Sequence, residues 1–229
     1  MKSVIVRKIH RPDANLVQKL GEFGVATIYE AQGRTGLMHS CIRPIYPSAH
    51  LAGSAVTALC HSGDNLMIHA AIEMCSPGDV MIVATKSEST HGMFGELLAT
   101  SFKAHGISGL VIDAGVRDVS ELIAMQFPVF AKVITSQGTV KETAGSVNVG
   151  VICAGALVKP GDAVIADIDG VVVVPRGDVA DVVRRCEERR KKEAKNREAL
   201  SAGTLGLDLY GLREKIKALG VEYVDREPE

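Results

Sequence analysis

The stretch that decides the fold is GMFGELLATSFKAHGISGLVIDAGVRD, residues 92–118. It predicts a glycine-containing loop at residues 92–95, a helix over residues 97–104 and then a buried strand. Glycines without a Cβ let backbone N–H groups approach a ligand, and a helix N-terminus attracts an anion. The strand leads to Arg117 and Asp118, so one segment offers amides, a guanidinium and a carboxylate. These groups suit an anion and a divalent metal, although a plain helix–strand unit ending in a surface ion pair gives the same pattern.

Composition indicates a globular chain of enzyme size. The 229 residues carry a formal net charge of −1, and 46% of them are hydrophobic. Binding to phosphates needs a basic surface, so this charge argues against nucleic acid as a partner. The sequence has no apolar run of membrane-spanning length, no signal-peptide core and no CxxC pair. We therefore expect a cytoplasmic protein without a membrane partner, a disulfide framework or a zinc site.

Helices and strands alternate through the first half of the chain, and strands dominate residues 127–175. We expect helices over residues 14–23 and 66–74, strands over residues 42–46, 51–60, 80–84, 110–112, 127–133 and 147–153, and a hairpin of residues 163–166 and 171–174. This mixture predicts one compact α/β domain, residues 1–176, with a sheet covered on at least one face.

The C-terminal part, residues 177–229, has a different composition. Residues 179–202 begin with apolar residues near helical spacing and then become almost wholly charged, as EERRKKEAKNRE. Such a run is typical of a solvated helix face, and it is also suited to reaching across to another subunit. The tail regains apolar residues, so we expect this extension to pack on a neighbouring chain.

Asp118 is the strongest metal-ligand candidate in the chain. A lone carboxylate with water in the remaining positions suits Mg²⁺ or Mn²⁺, and Glu96 can add a second carboxylate through water. The planar fork of Arg117 suits a substrate carboxylate or an enolate. Asn65 lies where a turn meets a helix, so it is either a ligand for a small oxyanion or an ordinary cap residue.

The histidines and lysines give weaker signals. His69 lies within a helical pattern and is expected to be a packed or capping residue, whereas His91 lies in a loop beside residues 92–118. Four lysines are candidate Schiff-base formers, and each is expected to be a surface residue because none has a distinctive setting: Lys86, Lys103, Lys132 and Lys141.

The spacing Glu96-X20-Arg117-Asp118, followed by Val119-Ser120-Glu121, resembles the signature of the class II pyruvate aldolases. That family cleaves 4-hydroxy-4-methyl-2-oxoglutarate and 4-carboxy-4-hydroxy-2-oxoadipate, and the regulator of ribonuclease E activity A shares its fold. Five further stretches resemble the aldolase branch: YEAQGR (29–34), GDN (63–65), GTVKET (138–143), ADIDGV (166–171) and GLDLYGLR (206–213). The resemblance extends over residues 9–225.

This resemblance implies a β/β/α swivelling-domain core with a C-terminal helical extension, assembled as trimers or hexamers with active sites between subunits. It implies divalent-metal-dependent retro-aldol cleavage of 4-carboxy-4-hydroxy-2-oxoadipate to pyruvate and oxaloacetate. The methyl homologue would give two pyruvates, and oxaloacetate decarboxylation is the expected side activity. The pathway implied is degradation of aromatic compounds through protocatechuate or gallate.

The resemblance also implies roles for individual residues. Arg117 binds pyruvate together with the backbone amides of Leu97 and Leu98, beside Gly95, and Asn65 lies near the pyruvate. Asp118 ligates the metal directly, and Glu96, where many relatives have Asp, contacts it through water. A glutamate from the charged helix of a neighbouring subunit also acts through water. Its nearest match is Glu193, although three others lie in the same run, namely Glu187, Glu188 and Glu198.

Two other function classes remain open. The first is a non-catalytic regulator of ribonuclease E activity, although the charged extension and the GLDLYGLR tail favour the aldolase branch. The second is a Schiff-base aldolase, which borohydride plus pyruvate would inactivate and EDTA would not. Within the metal-dependent class, the sequence leaves open which of the two substrates is preferred, whether the metal is Mg²⁺ or Mn²⁺, and whether the assembly is a trimer or a hexamer.

Overall fold

The structure is a computed structural model that describes residues 2–226. It divides into two compact units, of which the first extends to Cys186 and the second begins at Glu187. The first unit mixes helices and strands, as predicted, and the second is helical. The predicted domain limits, residues 1–176 and 177–229, stay a prediction.

The strands of the first unit form one large sheet and one small sheet. Their bounds are β1 Arg43–Pro44, β2 Leu51–Cys60, β3 Val80–Thr85, β4 Gly92–Phe94, β5 Gly109–Val116, β6 Val129–Ile134, β7 Ser146–Val147, β8 Val151–Cys153, β9 Ala156–Val158, β10 Ala163–Asp167 and β11 Gly170–Val174. The large sheet runs in the order β1-β6-β5-β3-β2-β10-β11, with β4 on β5 and β7 on β2, and β8 pairs with β9. Strands β2, β3, β5 and β6 are parallel neighbours, of which β2, β3 and β5 are almost wholly buried and β6 is buried over its first half. Burial on both faces accounts for their mainly continuous apolar runs.

The helices of the described chain are α1 Ala14–Gly21, α2 Val25–Ala31, α3 Leu66–Ile72, α4 Glu96–Ala104, α5 Val119–Ala124, α6 Val179–Ser201, α7 Gly206–Leu209 and α8 Leu212–Ala218. Asp13 caps α1 as predicted, because its carboxylate accepts a hydrogen bond from the Asn15 N–H at 2.8 Å. The predicted long charged helix is confirmed as α6. Among the described residues, no helix is both long enough and apolar enough to cross a membrane.

Several predicted elements differ from the structure. The loop predicted at residues 92–95 is wrong, because Gly92–Phe94 form β4, which pairs with β5. The strand predicted over residues 147–153 is two strands, since Asn148 has a left-handed backbone (φ 55°) that interrupts the extended chain. The strand predicted over residues 42–46 shortens to β1, where Pro44 has no N–H for a sheet hydrogen bond. Neither α5 nor β9 was predicted from the sequence.

Three phenylalanines fix the junction between β4 and α4. Phe94 ends β4, and its ring centroid lies 5.0 Å from that of Phe102 in α4 and 6.0 Å from that of Phe127, which precedes β6. All three side chains are buried. Aromatic pairs of this kind add about 0.5–1.5 kcal/mol each beyond the area they bury. The start of α4 is therefore held firmly against the ends of the parallel strands.

Candidate active site

Pairing between β4 and β5 brings the start of α4 beside the end of β5. Gly92 lies opposite Gly115 in this pairing, and the N–H of Arg117 donates to the Phe94 carbonyl at 2.9 Å. A Cβ on Gly115 would lie 2.6 Å from the carbonyl oxygen of Thr90, so the close approach of the backbone needs glycine there. The two ends of the 92–118 stretch therefore meet in space.

Asp118 has an unusual backbone and an engaged side chain. Its φ of 54° is left-handed, which is uncommon for a residue other than glycine and is concentrated at functional sites. Its Oδ2 accepts a hydrogen bond from the N–H of Glu96 at 3.1 Å and lies 3.7 Å from Nε of Arg117. A Cβ on Gly95 would collide with this same oxygen. The carboxylate thus covers the N-terminus of α4, and Gly95 leaves room for it.

The first turn of α4 presents free backbone donors. The first amides of a helix have no intrahelical acceptor. The Glu96 amide is satisfied by Asp118, and those of Leu97 and Leu98 have no acceptor within residues 2–226. Together with the helix dipole, they make this turn a suitable place for a carboxylate.

A pocket of about 130 Å³ lies between α3, α4 and the end of β5. Its lining includes six residues that were predicted to bind substrate or metal, namely Asn65, Gly95, Leu97, Leu98, Arg117 and Asp118, together with His69, Gly92, Met93, Phe94 and Lys141. The structure therefore brings together the predicted substrate-binding residues and the predicted direct metal ligand. The arrangement can bind a carboxylate at the guanidinium and the amides while a carboxylate of the protein stays beside it.

Asn65 contributes a buried acceptor to this pocket. Its side chain is only 7% exposed, and its Nδ2 donates to the Met93 carbonyl at 3.1 Å. Its Oδ1 is buried and has no partner within the described residues. A buried acceptor without a partner is costly, so a ligand that donates a hydrogen bond would stabilise this site.

The two glutamates that were predicted to contact the metal through water, Glu96 and Glu193, lie in different units of the structure. Glu96 does not line the pocket; it lies in an adjoining surface depression with Asp118 and Glu121, and its Oε1 accepts a hydrogen bond from Oγ1 of Thr100 at 2.8 Å. Glu193 belongs to the second unit, where its carboxylate lies 2.7 Å from Nε of Arg189. Its predicted role concerns a neighbouring chain and stays a prediction.

The donor set around Asp118 fits a hard cation that keeps most of its waters. Within residues 2–226, no group of three or more His, Cys, Asp or Glu side chains is arranged as a metal cage. Asp118 with Glu96 nearby instead offers carboxylate oxygens only, beside an open pocket. Mg²⁺ and Mn²⁺ favour oxygen ligands, and Mg²⁺ is typically held by one or two carboxylates plus substrate oxygens and water.

The structure corrects the predictions made for His69 and Lys141. His69 is neither packed nor a cap: it is exposed on α3 and lines the pocket. Partial burial lowers its pKa, and the positive charge of Lys141 lowers it further. Lys141 is exposed, as predicted, but it also lines the pocket. Sequence reasoning missed both because neither residue is near residues 92–118 in the chain; the only signal was that GTVKET belongs to the stretches resembling the aldolase branch.

The remaining candidates lie outside the pocket. Nε2 of His91 is 3.0 Å from Nε2 of Gln137, and its ring packs on Gly63. The other three lysines have partners elsewhere: Lys86 contacts His61, Lys103 donates to the Met125 carbonyl, and Lys132 pairs with Glu88. The pKa of Lys132 is raised, chiefly by its hydrogen bond to Glu88, which opposes the neutral amine that a Schiff base requires.

Comparisons with known proteins agree with this fold. Residues 25–173 match the family model described as RraA-like, Aldolase/RraA. A Halalkalibacterium halodurans protein named "Putative 4-hydroxy-4-methyl-2-oxoglutarate aldolase" is 31% identical over 171 residues, which cover 75% of this chain and 81% of that protein. A Pseudomonas putida protein of the same name is 35% identical over 124 residues, 54% of this chain and 76% of its own length.

A solved structure extends the likeness to three dimensions. Streptomyces coelicolor RraAS2, described as an unusual member of the RNase ES inhibitor RraA protein family, superposes with a TM-score of 0.73 at 28% identity. The match covers 83% of this chain and 99% of that one. The chain belongs to the RraA-like family, and the predicted α/β fold with a helical C-terminal segment is confirmed.

Proposed function

We propose that this protein is a divalent-metal-dependent aldolase that cleaves 4-carboxy-4-hydroxy-2-oxoadipate to pyruvate and oxaloacetate. It would also cleave 4-hydroxy-4-methyl-2-oxoglutarate, within aromatic-compound degradation through protocatechuate or gallate. The observation that carries the proposal is one pocket lined by the Arg117 guanidinium, the first turn of α4 and the Asp118 carboxylate. The aldolase names of its relatives support the same reaction class.

In this proposal, Arg117 and the amides of Leu97 and Leu98 bind the pyruvyl carboxylate. The ion pair between Arg117 and Asp118 uses Nε of the guanidinium, so its terminal nitrogens remain for a bidentate contact. Negative charge develops on the pyruvyl half as the C3–C4 bond breaks and its electron pair stays on C3. The Arg117 guanidinium is a preorganised positive charge beside that half. It stabilises the enolate more than the substrate, and this difference accelerates the reaction.

Asp118 would hold Mg²⁺ or Mn²⁺ directly, with Glu96 and a neighbouring chain's Glu193 in contact through water. When bound, the cation supplies Lewis-acid polarisation of the keto oxygen and lowers the pKa of nearby water. Asn65 would orient the substrate, since its unpartnered Oδ1 can accept a hydrogen bond from the C4 hydroxyl. We assign Glu96 to take up the C4 hydroxyl proton through water, after which C4 becomes the carbonyl of oxaloacetate. A proton returned through water to C3 of the enolate would then give pyruvate.

We also propose that the protein works as a trimer or hexamer. Apolar side chains lie exposed around the site, with Leu97 80%, Ile134 59% and Val140 51% exposed. Exposed apolar surface near a functional site commonly marks an interface. A second copy of the chain on this surface would complete the pocket. Light scattering coupled to size exclusion would give its mass, and a monomer that retains full activity would contradict this part of the proposal.

A second candidate function is inhibition of an RNase, favoured by the description of the Streptomyces coelicolor relative. It predicts binding to ribonuclease E in the presence of EDTA and no release of pyruvate. The pocket described here has no role in that function, so substitutions at Arg117 would leave the binding unchanged. The two candidates are therefore separated by one pair of measurements on the same protein.

The aldolase proposal is tested by pyruvate release, followed with lactate dehydrogenase and NADH, for the wild type, Arg117→Ala and Asp118→Ala. Loss of one preorganised transition-state contact costs about 10²–10³ in rate, so both variants should fall by at least that factor. Arg7→Ala, at an exposed arginine, is the matched control and should keep wild-type turnover. Wild-type-like turnover in either site variant would overturn the proposal.

A further inference from the structure

We propose that Lys141 binds the carboxylate at the end of the substrate away from the pyruvyl group, and that the buried Asp64 carboxylate positions Lys141 for this contact. The inference rests on the proposed function, because it assigns a specificity role within the same pocket. It makes the protein selective for oxo acids that carry a second carboxylate.

The pocket carries one more cation than a simple oxo acid needs. Arg117 and the first turn of α4 suffice for the pyruvyl carboxylate. Lys141 lines the same pocket, and its ammonium has no hydrogen bond or ion pair within residues 2–226. A ligand with one carboxylate would leave this ammonium without a partner, whereas a ligand with two carboxylates would engage both cations.

The residues around Lys141 direct the second carboxylate to it. Partial burial and the charge of Lys141 lower the pKa of His69, which disfavours a positive charge on that ring, whereas Lys141 carries an ammonium on the same wall. Asn65 presents a carbonyl oxygen, which repels a carboxylate and suits a hydroxyl. The hydroxyl and the carboxylate on C4 would therefore bind different side chains, and their arrangement at C4 would be fixed.

Asp64 ties the segment that carries Lys141 to the turn that carries Asn65. Its side chain is buried, and its two oxygens accept hydrogen bonds from the N–H groups of Leu66 at 2.9 Å, Glu142 at 2.8 Å and Thr143 at 2.6 Å. Backbone bonds reinforce the connection, since the N–H of Asn65 donates to the Val140 carbonyl at 3.1 Å. Asp64 touches no part of the pocket, so it is a positioning residue.

The test is the binding of two matched oxo acids, measured by titration calorimetry with Mg²⁺ present. The first probe, 2-oxoglutarate, has the second carboxylate but no C4 hydroxyl to react; the second, 2-oxopentanoate, has a methyl in its place. A charge-assisted hydrogen bond typically changes affinity by about ten- to a hundredfold. The wild type should therefore prefer 2-oxoglutarate, and Lys141→Met should lose that preference while binding 2-oxopentanoate and pyruvate as before. Lys159→Met, at an exposed lysine outside the pocket, should keep the wild-type preference.

A Lys141→Met variant that retains the preference, or that weakens both probes equally, would overturn the inference. Ligand binding can be measured without turnover, so the aldolase proposal and the proposed role of Lys141 can be contradicted independently. A protein that releases no pyruvate but loses the preference in Lys141→Met would contradict the aldolase reaction alone. Turnover with an unchanged preference would contradict the role of Lys141 alone.

The role of Asp64 is tested by Asp64→Asn, alone and combined with Lys141→Met. The single variant should weaken 2-oxoglutarate more than pyruvate, and it should have no further effect on the preference when Lys141 is already replaced. Equal weakening of both ligands by Asp64→Asn, or additive effects in the double variant, would show that Asp64 acts only on general stability.

Discussion

The carboxylate of Asp118 accepts a hydrogen bond at 3.1 Å from the backbone N–H of Glu96, 22 residues earlier in the chain. One oxygen of the proposed metal ligand therefore satisfies the first amide of α4, which has no intrahelical acceptor. This bond joins the proposed cation site to the proposed carboxylate site of the pocket. A change at Asp118 thus has two separable consequences, one for the helix end and one for the metal.

Asp118→Asn should separate these two consequences. Asparagine keeps an oxygen for the Glu96 N–H and tolerates the left-handed backbone at this position, so the melting temperature should stay close to that of the wild type. The variant loses the negative charge, so Mg²⁺ affinity and pyruvate release should both collapse. Asp118→Ala should lose activity and also melt earlier. Calorimetric Mg²⁺ titration with thermal unfolding checks this, and Mg²⁺ binding by Asp118→Asn at wild-type affinity would contradict it.

Gly95→Ala should impair the proposed metal site through a side-chain collision. Gly95 has an extended backbone (φ −160°), which any residue adopts, so backbone strain does not enter. The added methyl collides with Oδ2 of Asp118. Changes that displace a ligand from its supporting contacts cost about 10–100-fold in metal affinity, which is the loss expected in a Mg²⁺ titration. Gly150→Ala, where a Cβ meets nothing within 4 Å, is the control and should bind Mg²⁺ normally.

Glu96→Gln should slow the chemistry without weakening pyruvate binding. The glutamine keeps the backbone N–H that binds Asp118 and an oxygen for Thr100, so the local structure is retained. It cannot take up a proton, and loss of a general base costs about 10²–10⁴ in rate. Turnover and the inhibition constant of pyruvate together check this, and a proportional loss of both would instead indicate that Glu96 supports binding.

Asp64 should make the fold sensitive to acid. Burial raises its pKa, but hydrogen bonds from the N–H groups of Leu66, Glu142 and Thr143 outweigh burial, and the net pKa in the folded state is lowered. A group whose pKa is lower in the folded state stabilises the fold. This stabilisation is fully present at pH values above its pKa in the unfolded state, about 3.9, and it is lost as the pH falls through its pKa in the folded state. Urea unfolding over pH 2–7 should therefore show a shallower acid dependence in Asp64→Asn than in the wild type. Asp169→Asn, at an exposed position, should follow the wild type, and identical curves for all three proteins would contradict the prediction.

The predictable part of the site was the part encoded locally. Residues 92–118 form a helix and a strand whose ends meet, so one continuous stretch supplies both Glu96 and Asp118. The loop predicted at residues 92–95 failed because pairing with β5 turns a glycine-containing segment into a strand. The local periodicity of the sequence holds no information about which strand will pair with a segment.

The part that sequence reasoning missed depends on long-range bonds. Lys141 reaches the pocket because Asp64 binds backbone amides 78 and 79 residues further along the chain. His69 looked like a packing residue because its neighbours on α3 are buried, while the ring itself faces the pocket. Apart from the resemblance of GTVKET to the aldolase branch, no pattern around either residue distinguishes it from an ordinary surface lysine or helical histidine.

The central claim is that the wild-type protein performs a metal-dependent retro-aldol cleavage. The most direct measurement is pyruvate release from 4-carboxy-4-hydroxy-2-oxoadipate, and from its methyl homologue, by the full-length protein with Mg²⁺, after EDTA, and after Mg²⁺ is restored. The account predicts release of pyruvate with Mg²⁺, its loss with EDTA and its recovery on restoration. No pyruvate from either substrate, or a rate that EDTA leaves unchanged, would contradict the account.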